Sequence, residues 1–244
     1  MSRSGITKLK LSNPDPEIIF SSFEIQKFIK TCKNAIEGLQ ANPTDKRKLL
    51  LMQFSLRVLY NTSASIQLTT ANHNGAVACL MRPTFELLCR GLWLNLCATD
   101  YQIDYFLNKD RLTKKKQLGD IGKVRDMNLG ELAREVDNRM GQNGFPNKLF
   151  DIFEENKKVF NSLTHGGLIL LNNTFDGKYV TNSFSKNDIL LQCYFQLLMA
   201  ASATTSLLSA FENYDEAEKI IHEFNPIHDT LRETIELQES FTPD

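Results

Sequence analysis

An all-α bundle of long antiparallel helices is the architecture this 244-residue sequence predicts, and three features predict it. Residues 75–98 are apolar on almost every face, the pattern of a helix buried at the centre of a bundle or in a membrane. The quartets Asn13-Pro14-Asp15-Pro16 and Asn42-Pro43-Thr44-Asp45 are helix-entry signals, each followed by a long helix-forming stretch. Residues 189–211 carry no charge at all and need burial.

In order, the first helix is expected over about 17–40. The second runs to about 71, with Leu49, Leu50, Met52, Phe54, Leu56, Val58, Leu59, Ile66 and Leu68 as its inner face. Residues 72–75 make the turn into the central helix. There Arg82, Glu86 and Arg90 stack at four-residue spacing along one side. Buried charge costs several kcal/mol per ion, on the order of a whole domain's margin, unless partners satisfy it. The stripe is therefore either a structural ladder with Glu86 between two arginines, or a polar pocket holding an arginine for a phosphate or carboxylate. Pro83 implies that this helix begins near Arg82 or kinks there.

Thr99 and Asp100 cap a short helix, and Asp100 could instead pair with the stripe. Residues 108–125 turn basic, including Lys114, Lys115, Lys116 and Lys123. They are either a solvated helical face or a nucleic-acid backbone contact, with no aromatic residue among them for base stacking. A helix over 129–140 follows. The next, over 148–165, carries an apolar stripe of Leu149, Phe153, Phe160 and Leu163, with Lys158, Asn161 and His165 on the opposite side. Gly166 and Gly167 end it. A histidine in a last turn is held more basic by the helix dipole and suits proton donation or anion binding.

Residues 172–184 read as a loop or a small hairpin about Asp176-Gly177, and the uncharged helix then runs to about Ala210. The acidic tail over 212–244 is helical and broken at Pro226, with His222 and His228 as surface residues. One domain is expected over 1–244, with 1–16 as an N-terminal arm.

The composition, 42% hydrophobic and 23% charged with formal net charge -1, gives no global pull towards nucleic acid or acidic lipid. Five cysteines without CxxC spacing indicate a reducing cytoplasm, and no secretory signal opens the chain. Gln192, Gln196 and the acidic flanks Asp188 and Glu212 argue against a membrane span at 189–211. No phosphate loop, dinucleotide fingerprint, nucleophile elbow or zinc spacing occurs, so neither metal nor cofactor is expected. A histidine beside an amide and a lysine, with a buried arginine–glutamate stripe, suits metal-free acid–base chemistry such as RNA cleavage by its own 2′-hydroxyl. It equally suits no catalysis.

Arg82 to Asp100 (RPTFELLCRGLWLNLCATD) and Lys157 to Leu171 (KKVFNSLTHGGLILL) resemble an uncharacterised bacterial all-helical family with R-P-x-F-E-x-x-x-R-G-x-W-L and N-S-x-x-H-G-G motifs. The family-like region spans about 43–210, and that family is distantly similar to the HEPN helical domains. The resemblance implies a homodimeric, metal-independent ribonuclease or RNA-binding component of a toxin–antitoxin or phage-defence system, with RNA or a further protein as partner. The HEPN signature is an arginine, four to six residues, then a histidine. His165 matches the histidine and Asn161 the polar position before it, while Lys158 stands about where the arginine would. Arg82 or Arg90, with Glu86 between them, would then complete the site. The alternatives are a non-catalytic binding or scaffold module and a pocket for a small anion.

Overall fold

The computed structural model describes residues 8–10, 15–107, 128–141, 148–164, 179–181 and 184–240. Among them are eight helices: α1 (Pro16–Ile36), α2 (Lys46–Thr70), α3 (Asn74–Leu96), α4 (Asp100–Leu107), α5 (Leu129–Gly141), α6 (Leu149–Thr164), α7 (Lys186–Ala210) and α8 (Tyr214–Ser240). The chain is an all-α bundle. Its only described strands, β1 (Lys8–Lys10) and β2 (Tyr179–Thr181), pair in parallel with Leu9 opposite Val180. The Asp176-Gly177 turn lies outside the described residues.

The helix starts follow from side chains that accept otherwise orphaned amides. Asp15 accepts from Glu17 N at 2.8 Å, Asp45 from Lys48 N at 3.1 Å, and Ser185 forms a reciprocal capping box with Asp188. Thr99 and Gln102 exchange bonds at the start of α4, and Asn128 and Glu131 do so at the start of α5. Asp100 pairs with Arg47 at 2.7 Å and not with the central stripe. The same arginine donates to the Leu94 and Asn95 carbonyls at the end of α3. The first helix stops earlier than its sequence pattern predicts, because Gly38 takes φ +81° and turns the chain.

Of the two proline expectations, the break at Pro226 is corrected, because α8 continues through it, and at Pro83 the alternative of a helix start near Arg82 is removed, because α3 already runs from Asn74. Each proline removes one i→i−4 bond, but Pro226 and His222, whose carbonyl it orphans, are both exposed, so water replaces the lost donor. Leu56, expected on the inner face of α2, is 40% exposed. The inner face there is finished by Ser55, Thr62, Ser63, Ser65 and Thr69. His228 is less of a surface residue than its acidic surroundings imply. It bonds Tyr194 Oη at 2.8 Å and packs its ring against Tyr194 and Phe224.

Consecutive long helices run antiparallel, and α1 and α7 run the same way, with Ser22 beside Cys193 and Cys32 beside Thr204. Two apolar clusters result. One gathers α3 with α2, α5, α6 and α7, and the other gathers α7 with α1, α2 and α8. No helix among the described residues is long and apolar enough to cross a membrane.

Candidate functional site

The seam between α3 and α6 brings sequence-predicted residues together. Phe160 is 1% exposed and packs between Phe85 and Phe195, each with ring centroids 5.8 Å away. That contact fixes the rotation of α6. Asn161, one residue on, consequently meets Arg82, which lies three residues before Phe85 on the same side of α3. The Arg82 guanidinium donates to Asn161 Oδ1. Arg82 is half-buried, whereas Asn161 and Lys158 are exposed.

Glu86 pairs with Arg90 within α3, accepting from Nε at 2.8 Å and Nη2 at 2.7 Å. Their side chains are 35% and 29% exposed, so the stripe is half-solvated at the edge of the seam. The sequence expectation of a fully buried stripe is corrected here: α3 turns this side outward beside α6. His165 follows Thr164 directly in the chain and lies outside the described residues, as do Gly166, Gly167, Lys114, Lys115, Lys116 and Lys123.

Two carboxylates of α5, not singled out from the sequence, hold the seam's walls. Asp137 is 6% exposed and accepts from the first two amides of α6, Leu149 N at 3.1 Å and Phe150 N at 2.7 Å. A negative charge at a helix N-terminus is stabilised by the exposed amides and the helix dipole. Glu135 accepts from the Trp93 indole at 2.6 Å, which ties α5 to α3. The signal for Asp137 was a carboxylate on the otherwise apolar face of Leu132, Ala133 and Val136. Gly91 and Gly130 complete the packing by absence of a side chain. A Cβ on Gly91 would stand 2.7 Å from Phe54 Cβ, and one on Gly130 would stand 2.6 Å from the Phe153 ring.

Burial holds the thiols of Cys32, Cys89, Cys97 and Cys193 in their protonated form. None of the five cysteines forms a disulfide. Burial, with the Asp137 and Glu86 charges nearby, raises the Cys89 thiol, and burial pushes Cys97 up to about 11, Cys193 to about 11 and Cys32 to about 12. Among the described residues no group of three or more His, Cys, Asp or Glu side chains could hold a metal ion.

The class defined so far is a helical bundle with a polar seam of arginine and amide at its side. Residues 55–229 match the model of a family of unknown function (DUF6988), which covers more than half of the chain, and the chain belongs to that family. The matched region begins within α2, ends within α8 and contains both walls of the seam. Comparison with curated proteins and with solved structures gave no match.

Proposed function

We propose that the α3–α6 seam binds an RNA phosphodiester and cleaves it without a metal ion. The observation that carries this reading is the Arg82–Asn161 contact, which holds a guanidinium against the residue that stands four positions before His165 in the sequence. A planar guanidinium suits phosphate oxygens, and one steadied by an amide is oriented before the ligand arrives. In the reaction His165 takes the proton of a ribose 2′-hydroxyl and the 2′-oxygen bonds to phosphorus. The P–O5′ bond breaks, and the proton passes to the leaving 5′-oxygen. Arg82 stabilises the charge that gathers on the phosphorane oxygens, and Lys158, exposed on the same helix as Asn161, attracts the flanking phosphate. The products are a 2′,3′-cyclic phosphate and a 5′-hydroxyl. The HEPN-like resemblance favours the same chemistry in a homodimer and a setting in bacterial defence or a toxin–antitoxin pair.

The test incubates the purified protein and its His165→Ala variant with cellular RNA in EDTA. Cleavage by the wild type alone supports the reading, and equal cleavage by both variants, or none by either, removes it. A second reading is favoured by the Glu86–Arg90 pair, which satisfies two of the three stripe charges within α3 itself. On that reading the seam is architecture in a non-catalytic binding or scaffold module.

A further inference from the structure

We propose that Arg90 is a second phosphate-binding group of the α3–α6 seam, held by Glu86 until a phosphate of the RNA strand replaces that carboxylate. The inference rests on the reading of the seam as an RNA site, and it adds that the substrate is a strand long enough to place phosphates at both arginines. Arg82 and Arg90 lie on one side of α3, about 12 Å apart along its axis. Arg82 is held by Asn161 and Arg90 by Glu86, so a strand lying along the seam meets the two guanidiniums in succession.

Glu86 is a weak competitor for a phosphate. Arg90 Nε and Nη2 both donate to one oxygen, Glu86 Oε1, at 2.8 Å and 2.7 Å. A phosphate presents two oxygens to the same fork, which is the stronger bidentate arrangement. The Arg90 and Glu86 side chains are half-solvated, and such an ion pair within one helix adds little to stability. A strand phosphate, in contrast, gives up condensed counterions when an arginine neutralises it. The other charges of the seam come from α6. This helix runs antiparallel to α3, since Asn161 near its C-terminal end meets Arg82, while its first amides meet Asp137, close to the Glu135 that holds Trp93. The turn of α6 before Asn161 therefore comes level with Glu86. It carries Lys157, paired with Glu154, and the exposed Lys158, while Glu155 lies about 120° round the helix from Asn161. With Glu154 neutralised by Lys157, Glu86 is the carboxylate that a strand reaching Arg90 displaces.

The experiment measures binding of a fluorescent 2′-fluoro RNA hexamer, which lacks the 2′-hydroxyl needed for cleavage, to the full chain and its Arg90→Ala and Glu86→Gln variants. Anisotropy is read in EDTA across a salt series. Arg90→Ala should bind about tenfold more weakly, and its plot of log affinity against log salt should be shallower by about 0.7, the share of one single-strand phosphate. Glu86→Gln should bind about tenfold more tightly, a direction that loss of a merely structural pair does not produce. Equal affinities and slopes in all three proteins overturn the second subsite and leave the Arg82 and His165 reading standing. A wild type that does not bind the hexamer overturns the seam reading and this inference together. Binding that follows Arg90 and Glu86 as stated, in a protein that does not cut RNA, supports the subsite and removes only the cleavage step.

Discussion

Asp137 does at residue scale what a capping side chain normally does from within its own helix. Its buried carboxylate reaches from α5 to the first two amides of α6. Asp137→Ala should lower unfolding free energy by about 3 kcal/mol, the scale of two bonds to a charged acceptor, measured by urea titration. Asp137→Asn should lose less, since its amide oxygen still accepts one bond. The buried thiols make a second prediction. Cys32 is pushed from 9.0 to about 12, mainly by burial and further by Glu223. Below pH 9 the thiol is protonated both folded and unfolded, and the native state bears no penalty. Above it the unfolded chain releases the proton while the folded chain retains it, so stability falls as pH rises towards the folded value, at about 1.4 kcal/mol per unit of separation. The urea midpoint should decline between pH 9 and 11, and Cys32→Ala, although less stable at pH 8, should show a shallower decline.

At the scale of elements, α7 carries a cost that its sequence displays openly. Gln196 is fully buried, and neither its Oε1 nor its Nε2 has a hydrogen-bond partner in the protein. Gln196→Met, similar in volume and free of that penalty, should raise stability by about 1–2 kcal/mol, read as a higher urea midpoint. A lowered midpoint would mean that the amide is satisfied in solution. The helix starts were legible because capping chemistry is local: Asp15, Asp45 and Ser185 each stand within three residues of the amide they cap. Pro226 was misleading for the same reason. A local rule marks a break, whereas packing along both sides of the proline keeps the helix continuous. Leu56 departed from its expected burial because the period of α2 identifies a face, while the neighbours decide how wide that face is.

The whole molecule joins two clusters through α7, and its candidate site lies where α3, the core of one of them, meets α6. The types of residue at that site were visible in sequence, since Arg82 stands out as a charge in an apolar helix and Lys158 and Asn161 fall on the side of theirs opposite the apolar stripe. The contact of Arg82 with Asn161, 79 positions away, was not, because it depends on Phe160 setting the rotation of α6 against Phe85 and Phe195. Asp137 escaped notice by the same logic, as its partners begin twelve positions further along the chain.

The measurement that bears most directly on the α3–α6 seam is the single-turnover rate of RNA cleavage in EDTA for Arg82→Ala against the wild type, with melting temperature followed in parallel. Arg82→Ala should cleave about 100- to 1,000-fold more slowly, the effect of removing one donor to a developing oxyanion, with a stability loss of about 1 kcal/mol from the Asn161 bond. Cleavage at the wild-type rate by a folded Arg82→Ala protein would contradict that role of Arg82.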